Sequence, residues 1–414
     1  MPSNVTWLGR ALPVQEIRDY TFGGTWLSGE TITLTINGKD LTMTVGTDVA
    51  ITDILDAVVD MWNDSDVENL VGDEGRNGVG ANIPEFNEIT ASKVGTTKLR
   101  LTHDTAGVPF VVSASTDSAS GTISSVSVTR AATGPNHADD VNNWDGGALP
   151  ATGDSIWIGG DSPSILYGLS AITDTVASVN VAASYRGEIG LPQWNDLGYA
   201  EYRDCYWTLR SSLHRLGHGD GPGSRLLKFN NSSVQAVVEC HTSASPREVG
   251  GGSIVFKGTH ASNELRNYNS DVAVAIYGGE AATIATLYQS GGTFRSGHGA
   301  TIGAASVNGG NAEFMSSATS LTQRGGSTKV VGSGTVGTLD VQGGSCKYET
   351  SGTATTVTVG GTATRATIDL HGDLRAKTFS SCTLNPGGSI SAPPGVLTIT
   401  SLSKGSKVTD ITAN

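Results

Sequence analysis

Glycine pairs recur through the C-terminal half of the chain at a spacing that leaves few folds open. They begin at Gly291, Gly309, Gly325, Gly343 and Gly360, in steps of 18, 16, 18 and 17 residues. Short Thr/Val/Leu runs precede them, such as Thr283-Ile284-Ala285-Thr286-Leu287, Thr338-Leu339-Asp340-Val341 and Thr355-Thr356-Val357-Thr358-Val359. A large apolar or aromatic residue follows most pairs: Phe294, Phe314, Val330 and Tyr348. The runs alternate by two, the period of a strand and not of a helix. A unit this short cannot bury its apolar residues alone, so successive units must stack. Propeller blades are more than twice as long. The expected product is a right-handed parallel β-helix, or a close solenoid relative, over residues 154–400. With rungs ~4.8 Å apart, roughly eight rungs between residues 250 and 395 make a rod of about 40 Å. Glycine lets each corner adopt positive φ, while Thr and Ser hydrogen-bond along the stack.

The stack accounts for the composition. Glycine is 55 of 414 residues, and charged residues are only 16%. The glycine share is about twice the usual ~7%, so the chain reads as mainly β. Net charge is −13, and non-specific nucleic-acid binding needs a basic patch, so no nucleic-acid partner is expected. Cys205, Cys240, Cys346 and Cys382 lie far apart with no Cys-x-x-Cys pair, which predicts reduced, buried residues rather than a metal centre. No apolar run approaches the ~20 residues of a membrane span, and the N-terminus lacks a basic start followed by an apolar stretch. Synthesis in a cytoplasm is therefore expected, with any exit by lysis or by a route without a cleaved signal.

Residues 1–130 read differently. Thr31 to Ile36, then Asn37-Gly38, then Leu41 to Val45 is a hairpin whose Asn-Gly supplies a type I′ turn. Ile54, Leu55, Val58, Val59 and Trp62 then fall at helical spacing after Thr52 as N-cap. Strands are expected at Lys98 to Thr102, Val108 to Ser113 and Ile123 to Val128. Together these form a small α+β domain of ββαββ type, the helix covering one sheet face. Residues 131–153 are dense in Gly, Pro, Asn and Asp, which suits a linker or capping turn. Residues 401–414 form a tail, and Pro393 to Thr400 closes the stack against an exposed strand edge.

The densest aromatic segment is a loop at 185–207. Tyr185, Trp194, Tyr199, Tyr202, Tyr206 and Trp207, with Glu201, are the candidate binding residues. Three readings stay open: a subunit or particle contact, packing of the loop on the solenoid, and stacking against sugars. Polysaccharide cleavage would need a pair of carboxylates about 5–9.5 Å apart. Asp340, Glu349, Asp369 and Asp373, or Glu188, Glu201 and Asp204 in the loop, are candidates, but no spacing singles out two, so no catalytic residue is assigned. His214 and His218 stand four apart in a Gly-rich segment that reads as a turn, without the Glu of a His-Glu-x-x-His site. Nucleotide-loop and serine-hydrolase motifs are absent. No cofactor or metal is expected.

Two resemblances bear on role. Asn143-Trp144 … Gly147 … Pro150 … Gly153-Asp154 resembles the segment that precedes the first rung in β-helical passenger regions of bacterial surface proteins and in phage proteins. The order of small domain, turn and Gly/Thr/Ser-rich β-helix resembles that of bacteriophage virion proteins, a fold-level likeness. It implies a capsid decoration, head fibre or tail-associated protein. Residues 1–130 would dock on capsid or tail proteins, and the chain would form a homo-oligomer, a trimer by expectation. The alternative is a tailspike that binds or cleaves host surface glycan. A bacterial surface adhesin is the third.

Overall fold

Strands that alternate by two and repeat at a fixed length bury their apolar faces only when each lies in register on the next, and the chain does this throughout its C-terminal two-thirds. The computed structural model describes residues 2–63, 75–76, 80–124, 127–242, 244–361, 365–405 and 412–413. One sheet has 13 strands, running from Asn4–Thr6 and Ser155–Ile158 to Leu397–Lys404. A second has 11, from Trp207–Thr208 to Thr412–Ala413. Pairing is parallel from the first strand of each sheet to the last. Thirteen strands at ~4.8 Å per step make a solenoid about 58 Å long.

Register shows where the sequence period holds. Ile302 partners Ile284, Leu321 partners Ala305, and Leu339 and Val357 follow, in steps of 16 or 18. Elsewhere the steps lengthen: His214 lies 35 positions after its partner Val179, and Cys382 lies 25 after Val357. Loops inserted at the corners take up the extra length, so the period fades while the stack continues. The interior is a set of columns. Val179, Val238, Leu265, Leu287, Ala305, Leu321, Leu339 and Val357 form one, all buried. Phe229, Phe256, Phe294 and Phe314 fill the facing sheet.

The glycine pairs sit where the chain passes from one sheet to the other. The second glycine of each of four pairs, Gly292, Gly310, Gly326 and Gly344, has φ between +65 and +82. A Cβ on Gly310 would lie 2.3 Å from Gly292 O, and one on Gly326 2.3 Å from Gly310 O. Each corner thus rests on the backbone of the corner before it. Buried amides donate to corner carbonyls: Gln289 Nε2 donates to Gly291 O at 2.5 Å and Gln323 Nε2 to Gly326 O at 3.1 Å.

The start of the chain departs from the expected boundaries. Asn4–Thr6 pairs with Ser155, Ile156 and Trp157, so the first residues belong to the solenoid and not to the small domain. Val14 N donates to Thr133 O at 2.8 Å, which places the inbound and outbound segments of the domain side by side. The small domain is an insertion between them. Residues 131–153 are correspondingly a packed cap, not a free linker. Asn143 is buried; its Oδ1 accepts from Ala11 N, and its Nδ2 donates to Gly134 O and His137 O. Trp144 lies edge-on to Trp7 at 5.0 Å and stacks on Trp207. Asp154 accepts from Ser3 N and Ala151 N. The Asn-Trp and Gly-Asp positions quoted above therefore hold the N-terminal strand onto the first rung. At the other end Leu397–Lys404 and Thr412–Ala413 are strands, so the solenoid runs into the expected tail; residues 406–411 and 414 lie outside the described residues.

Within the insertion, Asn37 (φ +52) and Gly38 (φ +71) make the hairpin turn between Thr31–Ile36 and Lys39–Thr44. The helix is Ile51–Asn63. It starts two residues earlier than expected, so Thr52 is in its first turn and not at the cap, and its hydroxyl accepts from Lys93 Nζ at 3.1 Å. Ile54, Leu55, Val58 and Trp62 are buried as their spacing requires. Lys98–His103 is a strand, but Val108 to Ser113 is not; the strand is Ser113–Thr116. Gly107 at φ +83 and Pro109, which has no N–H to pair, hold the chain out of a ladder there. The expected strand from Ile123 to Val128 is split between Gly121–Ile123 and Ser127–Arg130, with residues 125 and 126 outside the described residues.

Candidate functional site: the seam between insertion and solenoid

The 35-residue step between Val179 and His214 carries the aromatic segment. Its first half stays in the stack, with Ile189 bridged to Ile165 and Leu227. The rest leaves the rung and meets the inserted domain. The seven candidate residues accordingly divide among four surroundings. Tyr185 and Trp207 are buried in the solenoid, and Tyr185 OH donates to Pro163 O at 3.1 Å. Tyr206 is buried on the outer face of the second sheet, with Lys257 Nζ 3.9 Å from its ring centre. Tyr199, Glu201 and Tyr202 lie at the seam. Trp194 alone of the seven is open to solvent, 63% exposed at a hairpin tip beside exposed Leu197.

A residue outside the sequence-derived set organises the seam. Arg203 is nearly buried, and its Nε donates to Pro109 O at 2.8 Å. Its Nη2 meets Glu88 at 3.0 Å, its Nη1 meets Glu201 at 3.2 Å, and its guanidinium lies 4.7 Å from the Tyr202 ring centre. Two of those partners, Pro109 and Glu88, belong to the insertion. Tyr199 OH donates to Glu88, and Asn37 Nδ2 donates to Ala200 O at 2.9 Å. Burial works against the charge on Arg203, but the acidic groups around it outweigh burial and hold its pKa above the ordinary value. Burial pushes the Tyr202 phenol up to about 12. The seam is thus a fully engaged charge network, which costs several kcal/mol to break at one partner. Neighbouring Glu201 hinted at an ion pair; nothing in sequence pointed to Glu88.

Beside the seam lies a cleft of about 450 Å³ lined by Arg18, Phe110, Tyr167, Tyr202, Asp139 and Asp204. Its volume is in the range of small-molecule sites, which favour domain boundaries. Aromatic walls and two carboxylates could hold a polar ring. They are poorly placed for acid–base chemistry. Asp139 is held below the usual carboxylate range by the His137 hydrogen bond, and Asp204 accepts from Ser170 Oγ.

On the second sheet's outer face, Lys228 is fully buried. Its Nζ donates to Leu191 O at 2.9 Å and pairs with Glu248 at 3.3 Å, beneath Tyr206 and Tyr277. Glu248 also accepts from Gln193 N and Tyr277 OH. This cluster ties the excursion to the rod.

The carboxylates named for cleavage are each committed. Glu349 pairs with Lys329, Asp373 with Arg375 and Lys377, Asp369 with His371, Glu188 with Arg247 and Glu201 with Arg203. Asp340 accepts from Gln342. His214 and His218 lie on a strand, Leu213–His218, and not in a turn. Residues four apart on a strand share a face, but Gly217 at φ +75 breaks the alternation. His214 therefore enters the core, its Nε2 3.0 Å from Asn231 Oδ1, while His218 faces solvent. The four cysteines are free thiols, with Cys240, Cys346 and Cys382 buried. Among the described residues no three metal-ligating side chains converge, and no helix is long and apolar enough to cross a membrane. No family model, curated protein or solved structure matches the chain.

Proposed function

We propose that the chain is a structural protein of a bacteriophage particle, a capsid decoration, head fibre or tail-associated rod. The inserted domain docks on capsid or tail proteins, and the solenoid stands off from it as a homotrimer. The join supports this above all: a domain held at one end of a long stack by two side-by-side chain segments and the Arg203 network suits a mounted spacer. Cleavage of host polysaccharide is the weaker alternative, because the carboxylates named for it are held by cations or donors.

The insertion makes a clean test available. Replacing residues 16–130 by a short Gly/Ser linker should leave the solenoid folded, since Val14 and Thr133 are already neighbours, and should abolish incorporation into particles. Continued incorporation of the shortened protein would refute docking through this domain. Light scattering of the intact protein tests the trimer.

A further inference from the structure

Large aromatic side chains are scarce on this surface, and their placement is uneven. Among the described residues four are well exposed: Trp157 at 47%, Tyr268 at 43%, Tyr288 at 46% and the loop-tip Trp194. Three of the four lie on the outer face of the 13-stranded sheet, in two adjacent columns. Register puts Trp157, Asn180, Arg215, Glu239, Arg266 and Tyr288 in one column, each directly above the last. Five steps at ~4.8 Å separate the two end rings by about 24 Å. The neighbouring column is also aromatic. His218 meets His241 edge-on at 5.3 Å, and His241 stacks on Tyr268 at 4.5 Å and 14°. Between Trp157 and these histidines a groove of about 470 Å³ runs along the sheet.

The polar groups between the rings are matched in charge. Arg215 Nε meets Glu239 at 3.2 Å; Arg266 meets Glu239 at 3.0 Å and Glu264 at 2.6 Å. Arg215 spends only its Nε in that contact and is half-exposed, so its guanidinium presents further donors to solvent. A phosphate backbone would want unpaired cations and a positive field, and this chain carries −13. A protein partner would want about 1,000 Å² with an apolar centre. Here the flanking positions are polar, Ser178, Thr286 and Ser306, and the stripe is two columns wide.

We propose that this stripe binds a linear, hydroxyl-rich polysaccharide laid along the rungs. The C–H faces of its rings would stack on Trp157, Tyr288 and Tyr268, and its hydroxyls would bond Arg215, Glu239 and Arg266. Rings with a polar rim suit a ligand that is apolar on its faces and wet at its edges. The stripe is a property of the rod's surface, and it serves wherever the rod is mounted.

The test uses the intact protein on an array of purified bacterial lipopolysaccharides and capsular polysaccharides. Wild type should be retained on at least one, and Trp157→Ala or Tyr288→Ala should weaken retention roughly tenfold, the change that ~1.4 kcal/mol of lost contact produces. Leu374→Ala, an exposed apolar side chain off the stripe, should bind as wild type does. Both stripe substitutions are on the outer surface, and circular dichroism verifies that each variant is folded. Retention of none of the polysaccharides overturns the proposal. So does equal binding by folded Trp157→Ala and Tyr288→Ala, or capture of a protein through Trp157 without any polysaccharide binding. None of these outcomes touches particle incorporation, which the 16–130 replacement reads separately.

Discussion

Placing a methyl group at one glycine corner should damage the stack more than placing it at a corner with open space around it. Gly326 has φ +71, and its added Cβ would lie 2.3 Å from Gly310 O and 2.9 Å from Gly309 C. Two costs combine in Gly326→Ala. A Cβ in the left-handed region costs about 1–2 kcal/mol. Forcing a fixed backbone apart to admit it costs about 1–3 kcal/mol more, because the neighbour is another rung's main chain. The sum is about 2–5 kcal/mol. Gly279 supplies the comparison, since it has φ +80 and nothing within 4 Å of its added Cβ. Gly279→Ala carries only the first cost. Solenoids open in parts, so a single melting temperature would blur the difference. Hydrogen exchange by mass spectrometry over Ala318–Gln323 and Val336–Val341 reads the local opening energy instead. Gly310→Ala together with Gly326→Ala should cost less than the sum, because one displacement of the column relieves both. If Gly326→Ala loosens its rungs no more than Gly279→Ala loosens its own, stacked corners are not what confines these positions to glycine.

Burial pushes His214 down to about 4, below its ordinary 6.5. The unfolded chain alone takes up this proton between those values, so stability is full above pH 6.5 and falls as pH drops toward 4, by about 3 kcal/mol in all. His214→Leu should flatten part of that slope in urea titrations at pH 7.5 and 5; buried His103 and half-buried His241, also lowered, contribute the same sign. An unchanged slope would mean His214 is not buried neutral. Arg203→Ala strands Glu201 and Glu88, should cost about 3–5 kcal/mol, and should raise protease cutting in residues 193–205; wild-type protection there would refute a clamping role.

The rungs from 282 to 359 were legible because their corners are only two or three residues long and the step stays at 16 or 18. Earlier rungs carry loops of varying length, and no period survives a step of 35 beside one of 22. The placement of Asn4–Thr6 was not legible, since three residues pairing across 150 positions leave no local pattern. Aromatic density at 185–207 correctly marked an unusual segment, but density cannot tell a buried ring from an open one. Tyr185 and Trp207 went to the core, while Trp157, Tyr268 and Tyr288, spread over 130 positions, share a face through register alone. Arg203 was missed because its role comes from Glu88 and Pro109, brought near by the insertion.

A domain hung from a single tether swivels, and its bearing relative to the rest of the molecule averages out. Here two adjacent chain segments and a guanidinium clamp act as three points of attachment, and three points fix an orientation. If the domain docks as proposed, the surface that holds it also sets the compass direction of the Trp157 face as well as the lean of the rod, and every copy on a symmetric array would turn that face the same way.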